Sequence, residues 1–238
     1  MESLENLKQK LAMANRILVN EGMTELGRGH VVVKVADNRI LIPGHLHDYQ
    51  RSIADCTASD IVTIDYDGNV VEGRYPESMH EFFFYSAMFK RRPELKAALH
   101  MHAFYCNILG MSGERLLLSS RDSFLFTDGI PVYSGLPLFV NTEKMGDEMA
   151  RFLGDRNILI HRGHGVFMVG KSMEEVVTRA AALERAAKKS YFLITMGKHL
   201  EYSREEIEKN DSEEIKLELQ ESDWGYFVTR VEKRGTII

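Results

Sequence analysis

Apolar positions recur with the period of a helix near both ends of the chain, and they form short β-branched runs between those ends. The run over residues 4–18 stops at Gly22, a residue type that often follows the last turn of a helix. A longer run covers residues 172–196 and begins with Ser172 and Glu175 at the spacing of a capping box. These patterns predict one helix at the start of the chain and a longer one in its last third.

The middle of the chain is predicted to form strands that alternate with shorter helices. Asp67-Gly68, within the apolar stretch 60–71, is a strong hairpin signal and predicts two strands joined there. Further strands are predicted over 30–35, 39–42, 96–102, 130–133, 157–161 and 166–169. Further helices are predicted over 78–90, 142–153 and 203–219, and a short one follows the strand 96–102 and ends at residue 109. Because no linker interrupts this series, we expect a single α/β domain over residues 1–238, with a sheet covered by helices.

Composition and charge narrow the class of protein. The 238 residues are 44% hydrophobic and 27% charged, as in an ordinary globular protein, and the net charge is −5. Residues 201–223 carry ten acidic against three basic side chains; we interpret them as an acidic, solvated helix, followed by an aromatic tail up to residue 238. No basic stripe with interleaved aromatic residues occurs in the sequence, so a nucleic acid partner is not expected.

Other sequence signals bear on the cellular compartment. The two cysteines, Cys56 and Cys106, lack Cys-x-x-Cys spacing, which argues against a disulfide framework. Residues 1–21 alternate charges with leucines and lack the apolar core of a signal peptide. No run in the sequence approaches the roughly 18 apolar residues that span a bilayer. The expected location is therefore the cytoplasm, without a membrane partner.

Three histidines stand in settings that suit a metal ion. His100 and His102 end the apolar run Ala-Ala-Leu-His-Met-His, and residues two apart on a strand face the same side. His164 lies between Gly163 and Gly165, where the backbone can turn sharply and approach closely. Three imidazoles with one open position are typical of a catalytic metal site rather than a closed structural one. We therefore expect these histidines to bind one divalent ion.

Residues near these histidines leave alternatives open. His161, three residues before His164, competes as the third ligand, although the flanking glycines favour His164. Cys106, one helical turn after His102, is interpreted as core packing rather than as a ligand. Glu81 lies about twenty residues before the histidine pair, in a helical pattern, and could supply acid–base chemistry. Together these residues predict a metalloenzyme.

Several motifs follow one another in a characteristic order. They are Gly-His-Val-Val-Val-Lys at 29–34, Asp-Gly-Asn-Val-Val-Glu-Gly at 67–73, Glu81 with Arg92-Pro93-Glu94, Ala-Ala-Leu-His-Met-His at 97–102, Gly-His-Gly-Val at 163–166 and Leu-Glu-Arg-Ala-Ala at 183–187. In this order and spacing they resemble the class II aldolase/adducin family, which includes L-fuculose-phosphate aldolase and L-ribulose-5-phosphate 4-epimerase. The resemblance extends from the first helix to about Lys189.

This resemblance implies a fold, an assembly and roles for individual residues. The family fold is a three-layer αβα sandwich with a central, mainly antiparallel sheet, and the family forms homotetramers with active sites at subunit interfaces. By the resemblance, His100, His102 and His164 hold one divalent ion per subunit, and Glu81 is the catalytic acid or base. Zn²⁺ is the first expectation for this cofactor, with Mn²⁺, Fe²⁺ and Co²⁺ as alternatives that three imidazoles also suit.

Two further roles are expected around such a site. An oxygen-bearing residue should orient each ligating ring, and Glu184 is the candidate for this task. Trp224 and Tyr226 in the tail are expected to fold over the site of a neighbouring subunit, because a tail aromatic residue does so in related aldolases.

Departures from the family pattern bear on the substrate. Members that act on sugar phosphates bind the phosphate through hydroxyl groups and backbone amides of three pairs, Asn-Ser, Thr-Gly and Ser-Ser. At the corresponding places this chain has His-Val-Val at 30–32, Pro-Gly-His at 43–45 and Met-His at 79–80. Valine and methionine side chains offer a phosphate no hydrogen bond, although a desolvated dianion needs several. The expected substrate-binding residues are therefore His30, Gly44, His45 and His80, with the histidines contacting a carboxylate or a phenol.

The expected function is that of a divalent-metal-dependent carbon–carbon lyase that acts through a metal-stabilised enolate. The Gly-His pair at residues 29–30 resembles the corresponding pair in the decarboxylase-type members. The predicted reaction is thus decarboxylation of a non-phosphorylated hydroxy-aromatic or keto acid, a small-molecule substrate. Two alternatives stay open: an aldolase or epimerase that acts on a sugar phosphate, and a non-catalytic, adducin-like interaction module. The adducin branch lacks the metal histidines, which favours an enzyme here.

Overall fold

A mixed sheet runs through the centre of the protein. The computed structural model describes residues 3–46, 51–136, 139–197, 199–210 and 213–234. The strands are β1 Gly29–Ala36, β2 Arg39–Pro43, β3 Ile61–Ile64, β4 Val70–Glu72, β5 Ala97–Met101, β6 Val132–Tyr133, β7 Ile158–His161 and β8 Gly165–Gly170. They form one eight-stranded sheet in the order β4-β3-β2-β1-β5-β8-β7-β6. Every neighbouring pair is antiparallel except β6 and β7, which are parallel.

Helices cover both faces of this sheet. They are α1 Leu4–Asn20, α2 Phe82–Arg91, α3 Phe104–Ser112, α4 Glu143–Leu153, α5 Met173–Met196, α6 Arg204–Asn210 and α7 Glu213–Arg234. α2 and α4 pack on each other and cover the face that carries His30 and Phe167. α1, α3 and α5 pack on the other face, and α7 contacts α1 and α5. The predicted α/β fold, a mainly antiparallel sheet between helical layers, is confirmed.

The central strands are buried on both faces. All five residues of β5, all six of β8 and the first six of β1 are buried. This explains why their sequences read as continuous apolar runs instead of alternating with polar residues. Among the helices of the described part of the chain, none is long and apolar enough to cross a bilayer.

The structure corrects the predicted start of α2. Ser78 forms an isolated β-bridge with Gly44, and the Met79 amide donates to the Pro43 carbonyl oxygen at 3.0 Å. These bonds tie the segment before α2 to the end of β2, so that it cannot take up helical hydrogen bonds. Glu81 therefore stands at the N-cap of α2 rather than inside the helix.

The structure also corrects the C-terminal region. The helix predicted over 203–219 is two helices, α6 and α7, and residues 211 and 212 lie outside the described ranges. The expected aromatic tail belongs to α7, where Trp224 and Phe227 lie three residues apart and pack against the core of their own chain. Tyr226, between them, is 58% exposed. Tyr226 therefore leaves most of its ring exposed, and the role of Trp224 and Tyr226 at a neighbouring subunit stays a prediction.

A buried ion cluster fixes the loop between β2 and β3. Asp60 is fully buried, and it accepts hydrogen bonds from Arg51 at 2.5 and 2.9 Å, from the Tyr75 hydroxyl at 2.7 Å and from the Thr57 hydroxyl at 2.7 Å. Arg74 forms a further ion pair with the same carboxylate. Burial raises the pKa of Asp60, but these hydrogen bonds lower it more, to well below its ordinary value.

Replacing Asp60 by Asn should lower the free energy of unfolding by about 3 kcal/mol at pH 7, because two guanidinium groups lose their carboxylate. The pKa of Asp60 is depressed in the folded state, so its contribution is complete above the unfolded value of about 3.9 and is lost as the pH falls toward the folded value. Chemical denaturation should therefore give a smaller difference at pH 3 than at pH 7.

Asp67→Asn is the matched control, because Asp67 is exposed in the β3–β4 turn. It should change stability by no more than about 0.5 kcal/mol. An Asp60→Asn variant as stable as the parent protein at pH 7 would contradict this account of the cluster.

Candidate metal centre

The paired histidines lie at the end of β5, in the middle of the sheet. His100 pairs with His30 on β1 and with Phe167 on β8, and its ring stacks on the Phe167 ring with 4.2 Å between centroids. His102 follows the last residue of β5. The Nε2 atoms of His100 and His102 are 2.9 Å apart. The alternation of side chains along the strand therefore brings both rings to one place, as predicted.

His164 reaches the same place from the turn between β7 and β8. Gly163 has a φ of +75°, a backbone conformation that residues with a side chain rarely adopt. A Cβ on Gly165 would lie 2.5 Å from the Met101 carbonyl oxygen and 2.9 Å from Cε1 of His100. Glycine on both sides of His164 thus allows the turn to form and to press against β5.

The three rings come close enough to share one ion. One nitrogen from each of His100, His102 and His164 lies within 4.8 Å of the others. Nitrogen ligands at about 2.0–2.1 Å from a tetrahedral ion would be roughly 3.4 Å apart, so small side-chain adjustments suffice. Across the described residues, this is the one group of three histidine, cysteine or acidic side chains that meets this condition.

Glu81 faces the cluster from the N-cap of α2. Its φ is +74°, an uncommon conformation for a residue with a side chain, and such strain costs on the order of 1 kcal/mol or more. Its Oε2 is 2.9 Å from Nε2 of His100, and its Oε1 is 3.2 Å from Nε2 of His164. A strained backbone that directs a buried carboxylate at two imidazoles is typical of a functional residue.

The arrangement of donors and acceptors fits a cation. Nδ1 of His100 is 3.0 Å from the Val166 carbonyl oxygen, which can only accept, so this nitrogen carries a proton. In the neutral ring Nε2 then has a lone pair, and it faces both Nε2 of His102 and Oε2 of Glu81. Lone pairs this close repel one another unless a proton or a cation lies among them. The residues present therefore fit a divalent ion.

The protonation states also suit metal binding. Burial, followed by the neighbouring imidazoles of His100 and His164, which disfavour an additional positive charge, lowers the pKa of His102 to about 3. Burial raises the pKa of Glu81, but His100 and His164 lower it more, to about 2. At neutral pH His102 is therefore uncharged and Glu81 is ionised. An uncharged imidazole can coordinate a metal, and an ionised carboxylate can accept a proton.

The competing ligand His161 points elsewhere. Its Nε2 is 2.9 Å from the Gly135 carbonyl oxygen, and it is not part of the group that could share an ion. Cys106 is fully buried in the core. Burial raises the pKa of its thiol well above the usual value, so that it stays uncharged, in keeping with the interpretation as core packing.

Glu184 does not orient a ligating ring, contrary to expectation. Its carboxylate accepts hydrogen bonds from the backbone amides of Tyr105 and Cys106, both at 3.0 Å. These amides belong to the first turn of α3, where they have no partner within the helix. Glu184 therefore caps the helix that follows His102, and the Val166 carbonyl group takes over the orienting role at His100.

His30 lies behind the cluster, in the core. Its Nε2 is 3.0 Å from the Tyr85 hydroxyl, and its ring centroid is 6.2 Å from that of His100. Burial, and then the neighbouring imidazole of His100, which disfavours a second positive charge, lowers the pKa of His30 to about 3. His30 is therefore an uncharged neighbour of the site that is held in place by Tyr85.

The other expected substrate-binding residues lie on the segments beside Glu81. The rings of His45 and His80 contact each other with 4.7 Å between centroids, and His80 is exposed. Gly44 is buried, and a Cβ there would lie 2.5 Å from the Tyr75 ring. The structure thus brings His45 and His80 together, while Gly44 is required for packing.

Three residues that orient the site were not among those predicted from the sequence. They are Val166, whose carbonyl group binds His100; Phe167, which stacks on the same ring; and Tyr85, which holds His30. Two signals in the sequence could have identified them. Val166 and Phe167 directly follow the Gly-His-Gly turn, and Tyr85 lies one helical turn after Glu81.

Comparisons with known proteins agree with this geometry. The family model described as the class II aldolase and adducin N-terminal domain matches residues 9–191. The 3,4-dihydroxyphthalate decarboxylase of Arthrobacter keyseri is 27% identical over 191 residues, which cover 76% of this chain and 75% of that protein. The L-fuculose phosphate aldolase of Methanocaldococcus jannaschii is 26% identical over 161 residues, 67% of this chain and 82% of that one.

A solved structure shows the same fold. The aldolase II superfamily protein from Pseudomonas syringae superposes with a TM-score of 0.83 at 22% identity. The alignment covers 99% of this chain and 96% of that one. At this level of identity the likeness bears on the fold alone.

Replacing His100 by Ala should abolish retention of a divalent ion, because two imidazoles hold such an ion poorly. His161→Ala is the matched control, since it removes a nearby histidine whose Nε2 binds a carbonyl group. Elemental analysis of the dialysed proteins measures the metal content. A His100→Ala protein that keeps one ion per subunit, or a His161→Ala protein that loses it, would contradict the ligand assignment.

Proposed function

Because this chain belongs to the family of class II aldolases and adducins, we propose that it is a divalent-metal-dependent carbon–carbon lyase. The proposed reaction is decarboxylation of a non-phosphorylated hydroxy-aromatic or keto acid. One observation carries the proposal: the imidazoles of His100, His102 and His164 converge, and the Glu81 carboxylate faces them. The relative named 3,4-dihydroxyphthalate decarboxylase supports the reaction class.

The reaction must accommodate the electron pair of the carbon–carbon bond. When this bond breaks, carbon dioxide leaves, and the pair moves into the substrate toward a neighbouring oxygen. His100, His102 and His164 would hold a divalent ion, with Zn²⁺ as the first expectation, and its positive charge would stabilise this oxygen. Glu81 takes a proton from a substrate hydroxyl group and returns it to the carbon that has lost the carboxylate. The electron pair of the broken bond forms the new carbon–hydrogen bond, and the deprotonated oxygen takes up one proton from water as the product leaves, so that charge and protons balance.

The backbone amides near the expected substrate residues are already used within the chain. The amides of Val31, Gly44 and His45 donate to other groups of the protein at 3.0, 2.8 and 2.9 Å. Val31 and Met79, where sugar-phosphate enzymes have hydroxyl or amide side chains, are buried and apolar. A phosphate would therefore find few donors here, which supports a substrate without one.

The alternatives to the decarboxylase are a sugar-phosphate aldolase or epimerase and a non-catalytic, adducin-like module. The second candidate is an aldolase or epimerase that acts on a sugar phosphate, and the relative named L-fuculose phosphate aldolase supports it. A non-catalytic, adducin-like module would have no use for three converging imidazoles and a strained glutamate. The cluster therefore favours an enzyme over an interaction module.

The assembly and the compartment follow the family resemblance. We propose a single domain over residues 1–238 that forms a homotetramer with active sites at subunit interfaces. A group of exposed aromatic side chains around Tyr105 supports such an interface: Phe104, Tyr191 and Phe192 contact the Tyr105 ring and are 53%, 41% and 49% exposed. A cytoplasmic location is supported by Cys56 and Cys106, which are both unpaired and buried.

A substrate panel tests the proposed reaction. The protein loaded with Zn²⁺ or Mn²⁺ should release carbon dioxide from at least one member of a set of hydroxy-aromatic and β-keto acids, headed by 3,4-dihydroxyphthalate. Removal of the metal with a chelator should abolish this release, and returning the metal should restore it. Aldehyde release from L-fuculose 1-phosphate without any release of carbon dioxide would favour the aldolase instead.

Replacing Glu81 by Gln should lower turnover at least ~100-fold, because the amide cannot accept and return a proton. The metal content should stay unchanged, since the three imidazoles remain. Steady-state kinetics together with elemental analysis separates these effects. Turnover equal to that of the wild type would remove Glu81 from the proposed mechanism.

A further inference from the structure

Arg28 lies at the rim of the metal centre and has no role in the function described so far. It stands between Gly27, with a φ of +67°, and Gly29, with a φ of +115°. A Cβ on Gly29 would lie 2.7 Å from the carbonyl oxygen of His100. The loop is thus pressed against β5 through its glycines, and this contact fixes the backbone on which Arg28 stands.

The register of the sheet places Arg28 near His102. Gly29 pairs with Met101 in the antiparallel ladder between β1 and β5. Arg28 and His102 are the next residues beyond this pair, just past the end of the ladder. The arginine therefore stands at the end of the sheet where the three ligand histidines meet.

The guanidinium of Arg28 is available to a ligand. Arg28 is exposed, and within the described parts of the chain its side chain has no hydrogen-bond or ion-pair partner. Because a guanidinium stays protonated in proteins, the rim carries a permanent positive charge.

We infer that Arg28 binds a second carboxylate of the substrate, one that the reaction leaves in place. The inference rests on the function proposed above and narrows its substrate to hydroxy-aromatic acids with two acid groups. The planar guanidinium can donate two parallel hydrogen bonds to a carboxylate, which gives both affinity and orientation. The histidines then face the hydroxyl end of the substrate.

The departing carboxylate is not a suitable partner for Arg28. It loses its negative charge as it becomes carbon dioxide, so a cation bound to it would stabilise the substrate more than the transition state. A retained carboxylate keeps its charge throughout the reaction. Arg28 can therefore hold such a group without raising the barrier of the chemical step.

Two probes that differ by one carboxylate test this inference. Calorimetry on the zinc-loaded wild type should show 3,4-dihydroxybenzoate bound about 10- to 100-fold more tightly than catechol, the range expected for a hydrogen-bonded charge pair. Arg28→Ala should remove this preference, and Arg28→Lys should keep part of it. The zinc content should be the same in all variants, because Arg28 is not a ligand.

Arg39→Ala is the matched control. Arg39 lies at the opposite end of the β1–β2 hairpin, where its side chain donates to the Asn38 carbonyl oxygen at 2.6 Å. This variant should keep the wild-type preference for 3,4-dihydroxybenzoate. A loss of preference in Arg39→Ala equal to that in Arg28→Ala would indicate a general effect of charge and would overturn a specific contact.

Three further outcomes are informative. If both probes bind and Arg28→Ala keeps the wild-type preference, the role of Arg28 is overturned and the proposed function stands. If the zinc-loaded wild type binds neither diol, the proposed function fails and the inference fails with it. If Arg28→Ala weakens the binding of L-fuculose 1-phosphate and leaves that of 3,4-dihydroxybenzoate unchanged, Arg28 binds phosphate and the carboxylate assignment is wrong.

Discussion

The close approach of three imidazole nitrogens and one carboxylate in a buried place is the constraint on which the rest of the structure depends. Nε2 of His100 is 2.9 Å both from Nε2 of His102 and from Oε2 of Glu81. Lone pairs at this distance repel each other, and burial removes the water that would screen them. A divalent ion would offset the repulsion. Without one, the fold itself must hold the donors together.

Backbone features far from the cluster contribute to this task. The Asp60 cluster fixes Arg74 and Tyr75, and the chain then reaches the bridge between Ser78 and Gly44. That bridge leads directly to the strained N-cap residue Glu81. The position of the carboxylate therefore depends on an ion cluster that touches no ligand of the metal. Such support explains how a residue can persist in an unfavourable backbone conformation.

Local patterns predicted most of the fold and the histidine set, while contacts between distant segments could not be predicted. The apolar runs identified the strands, and strand alternation brought His100 and His102 together as expected. The late start of α2 depends on a bridge between residues 44 and 78, which no local pattern encodes. Glu184 caps a helix 78 residues away in sequence, a pairing that appears only when α3 and α5 pack together.

The distribution of charge around the site gives a physical basis for choosing among anionic substrates. Burial keeps His30 uncharged, and the amides of Gly44 and His45 are engaged with other backbone groups. The inner wall can therefore accept a neutral hydroxyl group more readily than a dianion, which needs several charged or free donors. Permanent positive charge is found instead at the rim, on Arg28, where water still reaches the side chain. A substrate whose retained carboxylate lies at the end opposite its hydroxyl groups matches both environments.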